Sequence, residues 1–163
     1  MFLVNLRPNI CFEVSIVSSY LVEPYWIDAR NILRCLQDTI SHGLRYTAGD
    51  VRLLGYTDVD WAGSVVDHKS TSGYCFTLGS SSISWMSRKQ KSVALSTAET
   101  GYIVASITSC EVVWLRKLFS ELFGFTLDTT VILCNNQRWD SIIEESHIRR
   151  LLQQIDIILD MVG

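Results

Sequence analysis

Proline is nearly missing from this chain and glycine is sparse: Pro8 and Pro24 are the only prolines in 163 residues, beside nine glycines. No low-complexity tract and no internal repeat is present. Histidine is as scarce, and His42, His68 and His147 lack metal-ligand spacing. The five cysteines, Cys11, Cys35, Cys75, Cys110 and Cys134, are odd in number and scattered through mostly apolar contexts. Neither a disulfide framework nor a zinc site is indicated, and the thiols read as reduced and structural. Long hydrophobic runs are missing too, since none reaches the ~18 residues of a spanning helix. Arg7 and Pro8 interrupt the apolar start MFLVNL before a signal-peptide core can form. A soluble protein of the cytoplasm or nucleus, with no membrane partner, is expected. Positive charge is not in excess either: 14 Lys and Arg stand against 17 Asp and Glu, for a net charge of −3. Any attraction for nucleic acid must therefore come from local Lys and Arg clusters that release counterions.

What the chain does have is a hydrophobic content of 48%, in a length that buries one ordinary core. Pro8 suits the first turn of a helix, and Ile10, Val14, Val17 and Leu21 form one apolar stripe. Pro24 punctuates, after which Trp26, Ala29, Leu33, Leu36 and Ile40 recur at three- and four-residue steps up to Gly43. The pattern predicts a helical hairpin over residues 8–43. Thr47-Ala48-Gly49-Asp50 is the one good linker, and it divides a helical segment, 1–46, from a second domain, 51–163.

The run Leu53 to Val59 is β-prone, with Asp58 and Asp60 at its C-terminal end. SGYCFTL and SSISWMS follow as two further strands, split by a turn at Gly79. Ser96 can cap a long helix with Glu99 three residues on, and Tyr102, Ala105, Val112, Leu115 and Phe119 recur at helical spacing until Gly124 ends it. Thr130–Cys134 reads as a strand buried on both faces. The order βββ-α-β predicts an α/β fold, a mixed sheet with the strand ending at Asp58 in its centre and Thr130–Cys134 parallel beside it. Glu99 should face Asp58. A terminal helix around Leu151–Met161 is expected to lie over the far edge, or to leave it open.

Several ordered blocks carry a resemblance. GYTDVDWAG, DHKSTSGYCFTLG, ISWMSRKQKSVALSTAETGY, WLRKLF and ILCNNQ resemble the ribonuclease H domain of copia-type retrotransposon Pol polyproteins. LRPNICFEVSIVSSYLVEP and WIDARNILRCLQDTISHGLRY resemble the end of the reverse transcriptase that precedes it. The resemblance implies a ribonuclease H-like sheet whose carboxylates hold two divalent ions roughly 3.5–4 Å apart and hydrolyse the RNA strand of RNA–DNA hybrids. Carried over by motif, Asp58 is the first acid and Glu99 the second. The third, an Asp in the family's CDN, is Asn135 here. The fourth belongs to a motif resembling LADIxTKPL, which is absent, so the resemblance implies a domain incomplete at its C-terminus. The basic run Arg88, Lys89 and Lys91 lies where a nucleic-acid backbone would pass. The resemblance thins after Gln137, where the later KHIDI motif survives only as QQIDI.

Other readings of the same residues stay open. Asp58 and Asp60 also suit a turn, Glu99 also completes a capping box with Ser96, and a run such as Arg88–Lys91 is usually a solvated turn. Trp61, Trp85 and Trp114 read as core or interface aromatics. A neutral amide at Asn135 offers no charge against the repulsion of two close dications. If each missing acid removes ~3 kcal/mol of transition-state stabilisation, two together slow the reaction by about four orders of magnitude. The expectation is a degenerate, truncated ribonuclease H domain, a pseudoenzyme. Its ancestral cofactor is Mg²⁺ or Mn²⁺, and its ancestral partners are RNA–DNA hybrid and reverse transcriptase. A binding or protein-interaction module retained without catalysis, and a residual hybrid ribonuclease, are the alternatives.

Overall fold

The computed structural model describes residues 2–19, 26–47, 49, 51–60, 68–124, 126–134 and 157–161, with residues 2, 3, 19 and 157–161 as backbone only. The chain opens with α1 (Phe2–Leu6), a 3-10 turn (Pro8–Ile10), α2 (Cys11–Ser19) and α3 (Trp26–Asp38). Pro8 occupies the first turn of the 3-10 segment, where its missing N–H leaves no bond unmade. The Arg7 guanidinium donates to the Thr39 carbonyl at 2.8 Å and to the Thr39 hydroxyl at 3.3 Å, tying the chain start to the end of α3. The expected hairpin of helices is present, but α3 has no buried residue. Leu21 and Pro24, read as part of it, lie outside the described residues.

Five strands follow: β1 (Leu53–Asp60), β2 (Thr71–Leu78), β3 (Ser81–Lys89), β4 (Thr130–Cys134) and β5 (Ile157–Met161), with α4 (Thr97–Phe123) between β3 and β4. They form one sheet in the order β3-β2-β1-β4-β5. β1 pairs antiparallel with β2 and parallel with β4. The central position of β1, the antiparallel β1-β2-β3 run and the parallel β4 are as the sequence predicts. Gly79, at φ +59°, turns the chain between β2 and β3, a conformation that glycine adopts without strain.

The end of the chain differs from expectation. In place of the expected terminal helix around Leu151–Met161, or an open edge, Ile157–Met161 is a strand, parallel to β4 with Thr130 opposite Ile157 and Cys134 opposite Met161; residues 151–156 lie outside the described residues. The physical reason is that β4 needs hydrogen-bond partners along its second edge. The β-branched Ile157-Ile158 pair favours the extended state that supplies them. Pairing with a strand distant in sequence thus decides the state of this segment.

The core lies between α4 and the sheet. Val104, Ala105, Val112 and Leu115 of α4 pack with Leu53, Phe76, Leu127, Ile132 and Cys134. Gly55 is required here: a Cβ would sit 2.6 Å from Phe76 Cε1 and 3.1 Å from Ile132 Cγ1. The Phe76 ring thus covers the backbone of the central strand. α4 has the caps its sequence announces. Ser96 Oγ accepts the Glu99 N–H at 3.2 Å, and Gly124, at φ +68°, donates its N–H to the Ser120 carbonyl at 3.1 Å.

On the other side, α2 packs along β3 and the Trp85 indole N–H donates to the Val4 carbonyl at 2.7 Å. Trp85 is thereby an interface aromatic, one of the two roles its sequence context suggested. The segment after α3 runs beside the β2-β3 hairpin: the Tyr46 hydroxyl donates to the Ser82 carbonyl at 2.9 Å, and the Ser81 hydroxyl donates to the Arg45 carbonyl.

Candidate functional site

β1 places its side chains alternately on the two faces of the sheet. Leu53, Gly55 and Thr57 are buried, while Tyr56, Asp58 and Asp60 are exposed. Thr57 fixes which face is which. Its hydroxyl donates to the Gly73 carbonyl at 3.0 Å and lies 3.4 Å from that of Thr108 on α4, which in turn donates to the Val104 carbonyl. Asp58 and Asp60 therefore project from the face opposite the one α4 covers. Asp58 Oδ1 accepts its neighbour's N–H, Val59 N, at 2.8 Å. Both acids line a concavity of about 400 Å³ together with Phe12, Thr71, Ser87 and Leu133.

Glu99 is in the first turn of α4, as predicted, and its carboxylate turns back on its own helix. Oε2 accepts the Leu95 N–H at 2.7 Å. Together with the Ser96 Oγ that accepts the Glu99 N–H, this ties the first turn of α4 to the residue before its cap. Glu99 is not among the residues lining the concavity of Asp58 and Asp60. Asn135, the third candidate, follows β4 and lies outside the described residues, as do Trp61, Ala62 and Gly63. Among the described residues no three His, Cys, Asp or Glu side chains come together as a metal-holding group.

The basic run closes β3. Arg88 and Lys91 are exposed and Lys89 is half-buried. Strand register connects it to the acids: Asp60 pairs with Thr71 and Thr71 with Lys89, while Val59 pairs with Ser72 and Ser72 with Arg88. With strands ~4.8 Å apart, the run stands roughly 10 Å from the strand that carries Asp58 and Asp60.

A polar cluster that the sequence reading passed over sits between α4 and β2-β3. The Ser84 hydroxyl donates to Glu111 Oε1 at 2.6 Å, and the Tyr74 hydroxyl joins the same carboxylate. Burial, reinforced by Glu111, pushes the Tyr74 hydroxyl up to about 12. Its signal in the sequence is an acid on the buried stripe of the helix, Glu111 lying three residues beyond Thr108 and four before Leu115. Burial likewise raises the Cys11 thiol above its ordinary value, which keeps it protonated and unreactive. Among the described residues, no helix is long and apolar enough to cross a membrane.

The mixed sheet with α4 across one face and acids at the end of its central strand defines an α/β protein of ribonuclease H-like fold. No protein-family model matches the chain. It is 37% identical over 158 residues, 95% of its length, to a retrovirus-related Pol polyprotein from transposon TNT 1-94 of Nicotiana tabacum. It is 37% identical over 139 residues to the Pol polyprotein from transposon RE2 of Arabidopsis thaliana. A protein named secreted RxLR effector protein 161, from Plasmopara viticola, is 42% identical over 117 residues, which make up 82% of that protein. The chain is thus derived from a retrotransposon Pol polyprotein, and its relatives are of the copia type. It spans 12% of the length of the tobacco polyprotein and 10% of that from RE2.

Proposed function

We propose that this chain is a degenerate copia-type ribonuclease H domain, one that keeps the fold and has lost catalysis. The ancestral reaction is hydrolysis of the RNA strand of an RNA–DNA hybrid, in which a pair of bound Mg²⁺ or Mn²⁺ ions activates water and stabilises the leaving oxygen. The donor set does not fit such a pair. Two dications held close together need several anionic oxygens, and the three positions matched by motif supply Asp58, Glu99 and a neutral amide, Asn135.

The observation that carries the reading is the neutral amide of Asn135 at the position where the resemblance places the third acid. The test is cleavage of a labelled hybrid in Mg²⁺ and in Mn²⁺ by the wild-type chain, by Asn135→Asp and by Asp58→Asn. No cleavage is expected from any of the three, because restoring one charge at position 135 does not rebuild the stretch after Gln137, where the resemblance thins. Cleavage by the wild-type chain that Asp58→Asn abolishes overturns the reading and makes the chain a residual ribonuclease.

A second reading, a non-catalytic module that binds nucleic acid or a protein such as reverse transcriptase, is favoured by two observations. One is the exposed basic run at the end of β3. The other is that the segment shared with the Plasmopara protein is most of that protein, so a span of this kind stands alone there. Hybrid binding that persists without divalent metal and weakens steeply with salt separates this reading from that of an inert remnant.

A further inference from the structure

Gln90 is the one member of the run Arg88-Lys89-Gln90-Lys91 that is buried, at 7% exposure. Its backbone N–H donates to the Ser70 carbonyl at 2.8 Å, and its side-chain Nε2–H donates to Ser72 Oγ at 2.7 Å. Ser70 and Ser72, at 1% and 2% exposure, are more deeply buried. The Ser70 hydroxyl lies 3.4 Å from that of Thr100, and Thr100 Oγ1 donates to the Ser96 carbonyl at 3.1 Å. One buried polar chain thus runs from the basic run, through the strand paired with the end of β1, to the capped first turn of α4 where Glu99 sits.

A buried carboxamide between the half-buried Lys89 and the exposed Lys91 has a plain physical use. Lys and Arg side chains lose conformational freedom when they grip a phosphate backbone, and binding is weaker still if the main chain beneath them must be ordered as well. Hydrogen bonds buried from solvent hold that main chain firmly, because breaking one leaves a donor or acceptor unsatisfied.

Resting on the nucleic-acid reading above, we propose that Gln90 is a positioning residue. Its buried carboxamide locks the corner of the sheet that presents Arg88, Lys89 and Lys91, so that a nucleic-acid backbone meets them preformed. Gln90 does not touch the ligand itself. It acts through Ser72 and Ser70, which fix the end of β3 against the strand that pairs with Val59 and Asp60.

The experiment measures binding of a fluorescent RNA–DNA hybrid by anisotropy across a salt series, without divalent metal. The proteins are the wild-type chain, Gln90→Met, which keeps the length and removes the amide, and Ser72→Ala, which removes only the acceptor. Far-UV circular dichroism and thermal melting report folding. With two or three phosphate contacts at ~0.9 each, the wild-type slope of log K against log salt should be about −2 to −3. In the folded variants the slope should fall by about one, and affinity at low salt by about fivefold. A lower melting temperature with the wild-type slope and affinity makes Gln90 merely structural and overturns the proposal. Should Gln90→Met fail to fold, Ser72→Ala decides on the same criteria. A wild-type chain that binds no hybrid at any salt overturns the binding reading and the proposal with it, an outcome distinct from variants that bind as the wild type does.

Discussion

α4 and α3 both repeat apolar residues at three- and four-residue steps, yet α4 buries Val104, Ala105, Val112 and Leu115, whereas α3 buries none. Trp26 and Leu33 of the α3 stripe are 66% and 64% exposed. The difference lies in what stands opposite. α4 spans the sheet and meets Phe76 and Ile132, while α3 lies against α2 and the 3-10 segment across a groove lined by Ile16, Val17 and Ile32. Periodicity reports which face of a helix is apolar and is silent on whether a partner exists. Stability should therefore reside on the α4 side of the sheet.

The largest effect that tests this contrast is Phe76→Ala. Removing a fully buried ring that packs over Gly55 should destabilise by about 3–5 kcal/mol, from lost burial plus the cavity left behind. Urea unfolding monitored by circular dichroism measures it. Ser96→Ala deletes the cap of α4 and should cost about 1 kcal/mol in the same experiment. An effect as large as that of Phe76→Ala would mean that the first turn of α4 holds more than its own helix.

Next comes alkaline pH. The Tyr74 hydroxyl is raised from 10.0 in the unfolded chain to about 12 in the fold, so above pH 10 the unfolded state loses its proton first. The unfolded state then binds fewer protons, and stability falls as pH rises from about 10 to about 12. Tyr74→Phe should flatten that decline in melting temperature. The smallest effect is predicted for Leu33→Ala on α3, which should stay within about 0.5 kcal/mol of wild type. A loss of several kcal/mol would show that the exposed stripe has an intramolecular partner, and would break the contrast between the helices.

Much of this architecture was legible in local sequence. Ser96 with Glu99, Gly124 and the Gly79 turn are residues whose chemistry dictates backbone within a few positions, and each stands where that chemistry places it. The central strand was legible as well, because Leu53 to Val59 sits between a linker and a hairpin. β5 was not, since what makes Ile157–Met161 a strand is the open edge of β4, and no local pattern reveals an edge. The candidate site divides along the same line. The identity of Asp58 and Glu99 could be read from motif, but the face each occupies depends on strand alternation around Thr57 and on the return of Glu99 to Leu95. The Gln90 chain and the Tyr74–Glu111–Ser84 cluster join residues from separate elements, which only the fold brings together.

The strand order also sets a schedule for synthesis. β1, β2 and β3 follow one another in sequence and can pair as soon as they emerge, but the second edge of β1 waits for Thr130–Cys134, and the second edge of β4 for Ile157–Met161. For the whole time that α4 is being made, the central strand has one flank unpaired. Parallel pairing across such separations is slow to form, and an unpaired apolar strand edge is open to pairing with another chain. A nascent copy is thus most vulnerable to its neighbours in the interval between residues 89 and 130, when α4 covers the face of the sheet but cannot cover its edge.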